Sequence, residues 1–581
     1  MAGNGILQIL LLLTTLILLV KPLGWYMAQV YQGNPCGLDK ILSPVERLIY
    51  RLSRINPDQD MNWKTYLSAM LVFNGVGWLF FYVLLRLQAY APLNPQAFSA
   101  VSPDLAFNTA SSFITNTNWQ AYGGENTLSY LSQMLALTVQ NFLSAATGLS
   151  LLMAVIRGLV QHEQTHLGNF WVDTVRGTLY ILLPLALLLA VALASQGVMQ
   201  NIKPYQTIQT LQPLATEDSH TQLLPMGPVA SQVAIKQLGT NGGGFFNTNS
   251  AHPYENPTPL TNFLELIAML LIPAALTYTF GMMVNDKRQG WAIFCAMLLM
   301  YIPLIFASTV LEQQGNPAFN QMGITQAHSH LAAGGNMEGK ETRFGIVNSA
   351  TWMASTTATS TGAINAMPDS FTPLAGMIPL WLMHTGEVVF GGVGSGLYGM
   401  IMIIIIAVFV SGLMVGRTPE YLGKKIEPYE MKMASFAVLI IPLLVLLLTA
   451  IAAITTAGTS ALGNPGAHGF TELLYTFTSL GYNNGSSFDG LNSNTRFYNI
   501  VGGIEMLILR YWLAIATLAI AGSLARKKTI PRTAGTLSTH TLQFIIILFM
   551  IITIVGALSF FPALALGPIV EALTIGAQHG H

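Results

Sequence analysis

Four short polar segments, rich in Asn, Thr, Ser and Gly, interrupt an otherwise apolar sequence. Their first residues are 124, 120 and 123 residues apart. Four segments of similar composition at nearly one period indicate an internal repeat. We refer to them in chain order as polar segments 1 to 4: Asn116-Thr117-Asn118, Thr240-Asn241-Gly242, Ser360-Thr361-Gly362 and Asn483-Asn484-Gly485.

The residue types in these segments suit the binding of a weakly hydrated cation. A cation that leaves water needs oxygen atoms in place of its hydration shell, and potassium filters supply backbone carbonyl groups. Glycine, and to a lesser degree asparagine, adopts the backbone conformations that turn carbonyls inward. No segment contains a carboxylate, whereas calcium sites usually do. The segments therefore predict a potassium site, in which Asn118 departs from the glycine found at the third position elsewhere.

Each segment taken alone has a simpler interpretation, because turns rich in Gly and Asn commonly end helices without binding anything. That interpretation accounts poorly for four such turns at one period. Gln120, two residues after segment 1, is a candidate for the mouth of a pore.

The composition places most of the chain in a lipid bilayer. Of the 581 residues, 52% are hydrophobic and only 9% are charged, against roughly 25% charged in soluble domains. A membrane-spanning helix needs roughly 20 apolar residues. Ten stretches qualify, near 5–28, 65–90, 129–158, 170–196, 261–284, 290–312, 371–414 (interrupted), 431–456, 497–524 and 541–568.

Basic residues concentrate in every second loop between these stretches. Loops 31–64, 157–176, 285–290, 416–432 and 525–535 hold 17 of the 25 Lys and Arg residues. The positive-inside rule assigns these loops to the cytoplasm, so both termini and the polar segments are predicted to face outside. Arg417, after the seventh stretch, fits an anchoring role at the interface. The net charge is zero, so nothing indicates binding to nucleic acid.

The sequence thus predicts an all-α polytopic membrane protein with four parallel repeats. Each repeat has a membrane helix, a short re-entrant helix such as Leu105–Phe113 or Val347–Ala358, a polar segment and a second membrane helix. Such backbone is tolerated at membrane depth only where it lines water or is buried in protein, so we expect a pseudo-four-fold pore. The predicted repeats are 63–160, 170–285, 289–416 and 426–525, and extra membrane helices lie at 1–30 and 539–568.

The seventh stretch contains a cluster of glycines that predicts a break in its helix. Glycine costs about 1 kcal/mol relative to alanine inside a helix. The break forms either a loop below segment 3 that blocks straight flow, or a close contact between helices. The glycines are Gly391, Gly392, Gly394, Gly396 and Gly399.

Three charged residues are predicted at membrane depth: Glu387, just before the glycine cluster, and Glu505 and Arg510 in the ninth stretch. Charges there are costly and usually functional. Arg510 is predicted either to pair with one of the glutamates or to hinder a cation from crossing directly.

Two motifs of soluble enzymes also occur. His162-Glu163-Gln164-Thr165-His166 matches the zinc-binding pattern HExxH, which leaves a membrane metalloprotease as a minor hypothesis, although no convincing third ligand follows. Gly394-Ser395-Gly396-Leu397-Tyr398-Gly399 spells the dinucleotide pattern GxGxxG, but no strand precedes it.

With their flanking residues, the polar segments read TNTNWQ, TNGGGFFN, TSTGAINAM and NNGSSFDG. These sequences resemble the filter signatures of the KdpA family, the potassium-binding subunits of bacterial potassium-transporting P-type ATPases. The resemblance covers nearly the whole chain. It implies a non-hydrolysing subunit of an ATP-driven, high-affinity potassium uptake complex in the bacterial inner membrane. The implied partners are the ATPase subunit KdpB and the small subunits KdpC and KdpF, and potassium is the implied bound ion. The chain has neither a DKTGT phosphorylation signature nor a P-loop, so no nucleotide is expected on it.

The main alternative is a stand-alone potassium channel or symporter of the related Trk, Ktr or HKT type. Those relatives lack the two extra helices that flank the repeats, which favours the subunit of a pump. Co-purification with an ATPase separates the two hypotheses, whereas bound zinc would revive the metalloprotease.

Overall fold

The computed structural model describes residues 3–212, 221–329, 333–414, 416, 418–531 and 537–578. Arg417 lies outside the described residues. The α-helices, in chain order, are α1 (Gly3–Gln32), α2 (Asp39–Leu52), α3 (Trp63–Leu87), α4 (Pro103–Ile114), α5 (Gly124–Thr127), α6 (Val139–Val160), α7 (Phe170–Arg176), α8 (Leu183–Ser195), α9 (Val229–Leu238), α10 (Pro259–Met283), α11 (Lys287–Gln313), α12 (Pro317–Gln321), α13 (Gly345–Ala358), α14 (Pro373–His384), α15 (Ser395–Met414), α16 (Pro428–Ile454), α17 (Thr456–Thr459), α18 (Gly466–Gly481), α19 (Arg496–Ala525), α20 (Leu542–Leu564) and α21 (Val570–Gln578).

Strands are confined to two small antiparallel pairs in the described part of the chain. Strand β1 (Gln206–Gln209) pairs with β2 (Thr221–Leu224), with Gln206 opposite Leu224. Strand β3 (Glu420–Tyr421) pairs with β4 (Lys424–Lys425). Three π-helical turns continue membrane helices, at Ser132–Thr138, Gly177–Leu182 and Ala565–Ile569.

Within the described residues, ten helical segments are long and apolar enough to cross a membrane. Each overlaps one of the ten predicted stretches, which confirms a mostly helical, multi-pass membrane protein. The seventh stretch is divided, because α14 ends at His384 and the long apolar helix α15 begins only at Ser395.

Four shorter helices, which we call the re-entrant helices, stand between the membrane helices: α4, α9, α13 and α18. They have 12, 10, 14 and 16 residues, all too short to span a bilayer. Helix α4 begins with Pro103, whose missing N–H costs nothing in the first turn. The predicted helices Leu105–Phe113 and Val347–Ala358 fall inside α4 and α13.

The membrane helices differ in how much of their surface other helices cover. Helices α6 and α10 are buried along most of their length, and they form the centre of the molecule. Helices α3 and α20 expose many apolar side chains, such as Val76, Leu79 and Leu558, as expected for surfaces that face lipid tails. The first helix, α1, packs closely on α10, where Gly24 lies against the carbonyl of Ala275.

Glycines let the central helices approach each other closely. Gly158 of α6 lies against Ala521 of α19, and a Cβ built on Gly158 would lie 2.5 Å from the Ala521 carbonyl oxygen and 2.8 Å from its Cα. Membrane helices associate through such small residues, because lipid provides no hydrophobic force to join them.

We expect Gly158→Ala to destabilise the protein by about 1–3 kcal/mol, because the added methyl group must push α19 away from α6. Gly75→Ala is the matched control, since Gly75 is also in a membrane helix but its added Cβ would meet no atom within 4 Å. Thermal unfolding in detergent measures both variants. Equal melting temperatures would show that the α6–α19 contact is not as tight as described.

Candidate functional site

Each polar segment follows a re-entrant helix at the same offset, with its first residue two positions after the helix end. Helices commonly end with a left-handed residue at this position, which satisfies their last carbonyl groups. All four first residues are left-handed, with φ of 69° at Asn116, 46° at Thr240, 51° at Ser360 and 59° at Asn483. The four chains therefore leave their helices by the same turn.

The third positions agree less well with each other. Asn118, Gly362 and Gly485 are left-handed, with φ of 55°, 79° and 98°. In segment 2 the left-handed residue is Gly243, with φ of 70°, rather than Gly242. Asn118 thus takes the backbone conformation of a glycine, and in segment 2 the second left-handed residue comes one position later than in the other segments.

Gly242 instead marks the point where the segments converge. A Cβ built there would lie 2.9 Å from the carbonyl oxygens of Thr117 and Thr361 and 3.4 Å from that of Asn484. These oxygens belong to the middle residues of the other three segments. Three backbone carbonyls therefore point to one place, and only glycine leaves that place open.

Side chains of the first residues connect neighbouring segments. The Asn116 side-chain amide donates to the Thr240 carbonyl at 2.9 Å, and the Ser360 hydroxyl donates to the Asn483 carbonyl at 3.0 Å. The Asn483 amide donates to the Thr117 hydroxyl at 2.8 Å. These contacts connect the segments in the order 3, 4, 1 and 2. Gly242 of segment 2 lies close to the Thr361 carbonyl of segment 3, which closes a ring.

The middle residues alternate between Thr and Asn around this ring. In segments 1 and 3 the middle hydroxyl bonds to a threonine two residues earlier, Thr117 to Thr115 at 2.8 Å and Thr361 to Thr359 at 2.6 Å. Sequence reasoning missed Thr115 and Thr359, although the shared Thr-x-Thr spelling would have revealed them.

In segments 2 and 4 the middle asparagines brace their surroundings instead. The Asn241 amide donates to Asn116 Oδ1 at 2.7 Å, and the Asn484 amide donates to Glu387 Oε1 at 2.8 Å. Neither amide bonds to a backbone carbonyl of the ring, because Asn241 bonds to a side chain of segment 1 and Asn484 bonds to Glu387 outside the ring.

Two polar residues of the central membrane helix α6 support segment 1. The Ser144 hydroxyl donates to Asn116 Oδ1 at 2.6 Å, and Asn141 Oδ1 accepts from the Asn118 amide at 2.7 Å. Both residues were missed from the sequence, because isolated polar residues in an apolar helix form no recognisable motif.

The break in the seventh stretch forms a loop, residues 385–394, that touches the start of the segments. Its Val393 N–H donates to the Thr240 hydroxyl at 2.8 Å, and its Gly391 N–H donates to the carbonyl of Ala358, the last residue of α13, at 2.9 Å. We call it the glycine loop. It lies against the helix-proximal end of the ring.

The glycines of this region have two different roles. Gly391, with φ of 66°, and Gly392 lie in the glycine loop, whereas Gly396 and Gly399 lie inside helix α15. The prediction that all five glycines form the break was therefore wrong for the last two. Gly394, with φ of 82°, also packs closely on Gly148 of α6, since its added Cβ would lie 2.1 Å from the Gly148 carbonyl oxygen.

Glu387, Glu505 and Arg510, the charged residues predicted at membrane depth, do not form ion pairs with each other in the described chain. Of the two roles predicted for Arg510, the pairing with a glutamate was therefore wrong. Arg510 lies near the glycine loop, 3.6 Å from a Cβ built on Gly148. Neither carboxylate oxygen of Glu505 has a hydrogen-bond partner among the described residues.

A cavity of ≈ 800 Å³ opens on the side toward which the polar segments run. Gln120 lines it together with Asn247, Lys340 and Asp489. Gln120 Oε1 also accepts the N–H of Gly244 at 2.7 Å, so this residue both faces the cavity and holds the end of segment 2.

A charged cluster supports one wall of this cavity at Gly490. His468, at the start of α18, bonds through Nε2 to Asp369 at 3.1 Å and through Nδ1 to Glu571 at 2.8 Å. Burial disfavours the charged ring, but the two carboxylates outweigh this effect and raise the pKa of His468 to about 10. The cluster joins a re-entrant helix to α21.

The HExxH motif lacks the helix that zinc binding by this pattern requires. Residues 161–166 form no helix, and His162 Nδ1 lies 2.7 Å from the Thr529 hydroxyl. Its two histidines are therefore not on one helical face, and the metalloprotease hypothesis loses its geometric basis.

We expect Thr240→Val to loosen the glycine loop, because the Val393 N–H loses its acceptor while remaining buried, at a cost of about 1–3 kcal/mol. Hydrogen exchange at the amides of residues 388–394 measures the effect, and it should become faster. Thr449→Val is the control, since that buried hydroxyl bonds only to a carbonyl of its own helix. Unchanged protection in the Thr240 variant would refute the contact.

We expect stability to fall as the pH rises from about 6.5 to 10. The folded protein holds the His468 proton more tightly than the unfolded chain does. The stabilisation that the charged ring provides is therefore complete below the ordinary pKa of 6.5, and it is lost as the pH rises to the folded-state pKa of about 10. Melting temperatures across this range should flatten in His468→Gln. The exposed His328 provides the control substitution, and an equal flattening there would contradict the assignment.

The sequence matches known proteins over nearly its whole length. The model of the KdpA family, the potassium-transporting ATPase A subunit, matches residues 10–573. A protein of Herpetosiphon aurantiacus named potassium-transporting ATPase potassium-binding subunit is 59% identical and covers 99% of this chain and 100% of its own length. A protein of the same name from Methylococcus capsulatus is 57% identical, with 100% of both chains covered.

Among solved structures, the potassium transporter TrkH from Vibrio parahaemolyticus aligns with a TM-score of 0.49 at 14% identity. The alignment covers 78% of this chain and 84% of that chain. The family match spans nearly the whole sequence, and the relatives match over their full lengths. The chain therefore belongs to the KdpA family, the A subunits of potassium-transporting ATPases.

Proposed function

We propose that this chain binds potassium in its ring of polar segments and passes it to the ATPase subunit of an ATP-driven uptake complex. The observation that carries the proposal is the convergence of backbone carbonyls from Thr117, Thr361 and Asn484 on the space left by Gly242. Relatives matched over their full length carry the name potassium-binding subunit, which favours this role over a stand-alone Trk, Ktr or HKT-type transporter.

The proposed ligands are the twelve residues of the four polar segments. All twelve are buried and none is ionisable. A ring of neutral carbonyls replaces the hydration shell of a weakly hydrated cation without binding it too tightly to be released. The side-chain bonds around the ring hold the carbonyls at fixed separations, which is the condition for preferring one ion size over another.

The re-entrant helices contribute a favourable field at the ring. Their C-terminal ends lie immediately before the four segments, and the C-terminal end of a helix carries roughly half a negative elementary charge. Four such ends around one point stabilise a cation although no carboxylate lies in the ring. A divalent ion would be bound by acidic ligands in most proteins.

The glycine loop and Arg510 are proposed to close the direct path across the membrane. The loop contacts Thr240 and the end of α13 at the helix-proximal end of the ring. Arg510 adds a positive charge beside it, and a cation in a low-dielectric site is repelled strongly by such a charge. An ion that has passed the ring is therefore directed sideways, toward a partner subunit. Glu387 is proposed to connect the loop to the ring through Asn484.

The remaining assignments follow from the sequence and the family. The partners are proposed to be KdpB, KdpC and KdpF, and the location is the bacterial inner membrane. Both termini are proposed to lie outside, so the cavity at Gln120 would receive ions from the exterior. The four repeats, at 63–160, 170–285, 289–416 and 426–525, and the flanking helices at 1–30 and 539–568, stay a proposed division of the chain.

The decisive experiment is the ATPase activity of the complex that co-purifies with this chain, titrated with potassium and then with sodium. Potassium should stimulate hydrolysis and sodium should not. If no ATPase co-purifies, or if neither cation changes the rate, the stand-alone transporter becomes the better explanation.

Gly242→Ala should weaken potassium stimulation of this complex and reduce its preference over sodium. The added Cβ would lie within 3 Å of two ring carbonyls, so the carbonyls must move or the ion site is lost. Gly242→Asp should act more strongly, because a carboxylate also enters the ring. Gly75→Ala serves as the control, and unchanged affinity and selectivity in both Gly242 variants would refute the proposed site.

A further inference from the structure

Helix α2 is an amphipathic helix that lies between the first two membrane helices. One side is fixed to the protein through Glu46, whose carboxylate accepts bonds from Tyr50 at 2.7 Å, Arg176 at 3.1 Å and Tyr180 at 2.8 Å. These contacts join α2 to the fourth membrane segment. The orientation of the helix is therefore set by the protein itself.

A different side of α2 carries an exposed apolar stripe. Ile41, Val45, Leu48 and Leu52 are 70%, 42%, 53% and 75% exposed. Their spacing of four, three and four residues places them on one face of a helix. An apolar stripe on an amphipathic helix next to membrane segments is typical of a helix that lies in the bilayer interface.

Basic residues flank this stripe and have no acidic partner among the described residues. Lys40, Arg47, Arg51 and Arg54 are all exposed, and none is in an ion pair. Free Arg side chains offer the paired N–H groups that bind a phosphate. The surface therefore combines an apolar contact with unused donors for an anion.

A cavity of ≈ 570 Å³ extends from the end of α2 into the membrane region. Ser53, Arg54 and Gln59 line its polar end, whereas Phe73 and Trp171 form part of its apolar wall. Phe73 is ten residues into α3, about 15 Å along the helix axis. A cavity of this size lies within the range of about 300–1,000 Å³ that is usual for ligand sites.

We infer that this cavity and the end of α2 form a binding site for one anionic phospholipid. The phosphate lies at Arg51 and Arg54, and an acyl chain follows the cavity wall past Trp171 and Phe73. Charge selects this occupant over a membrane helix of another subunit, because the polar opening contains Arg54 and lies next to Arg51 at the end of α2, while only the depth is apolar. The inference is independent of the proposed potassium site.

The test uses the purified complex in phosphatidylcholine vesicles that contain a minor fraction of phosphatidylglycerol brominated on its acyl chain. Bromine quenches nearby Trp fluorescence, and the contribution of Trp171 is the difference between the wild type and Trp171→Phe. Phosphatidylcholine with the same brominated chain provides the neutral comparison. We expect the anionic lipid to quench Trp171 at a lower fraction than the neutral lipid.

The double variant Arg51→Gln, Arg54→Gln should reduce this preference about tenfold or more, since each basic residue near a membrane surface contributes about 1 kcal/mol. Lys287→Gln with Lys432→Gln is the matched control, because both residues are exposed and distant in sequence from the cavity. Equal quenching by both lipids, or no loss in the double variant, would overturn the proposal.

Two further outcomes identify other occupants. If inorganic phosphate removes the preference, the site binds a free anion rather than a lipid, and the proposal is wrong. If neither brominated lipid quenches Trp171 in the complex, another subunit covers the cavity, and the proposal is likewise wrong. Val175→Phe provides a second measurement, because a larger side chain in the cavity wall should lower quenching of Trp171 by the anionic lipid without adding a tryptophan or changing the Arg residues.

Discussion

The structure depends on one constraint, which is that a non-helical backbone inside a membrane must satisfy its polar groups without water. Four polar segments leave helical structure where the chain is buried. Side chains complete part of their bonding: Asn116, Ser360 and Asn483 each bond to the neighbouring segment. The segments therefore stabilise one another, since segments 1, 2 and 4 each supply an acceptor that a neighbouring segment uses.

The same constraint explains where the chain tolerates strain. Thr240 is left-handed at φ of 46°, which is unusual and costly for a β-branched residue. Its hydroxyl is the acceptor for Val393 of the glycine loop, and asparagine or glycine would not offer that hydroxyl. The strain is thus located where the ring meets the loop that is proposed to close the pore. Close approach of Gly394 to Gly148 holds the other side of the loop.

The ring is less symmetric than its period suggests. Thr and Asn alternate at the middle positions, and the left-handed glycine of segment 2 is Gly243 rather than Gly242. A single chain can make such differences, whereas four identical subunits cannot. The middle side chains accordingly have different partners, Glu387 outside the ring for segment 4 and Asn116 within the ring for segment 2. The surroundings of a bound ion therefore differ between the quadrants of the ring, as a sideways exit would require.

The sequence alone determined the membrane class, the ten spans and the position of all four polar segments. The spans depend on the composition of about twenty consecutive residues, and the segments recur at intervals of 120 to 124 residues, so both can be read directly from the sequence. It also indicated that the seventh helix is broken, because glycines destabilise a helix wherever they occur. Only the tertiary structure decided that Gly396 and Gly399 stay helical, that Arg510 pairs with neither glutamate, and that Asn141 and Ser144 support the ring. The physical reason is that these outcomes depend on contacts between residues far apart in the chain, and such contacts leave no periodic trace in the sequence.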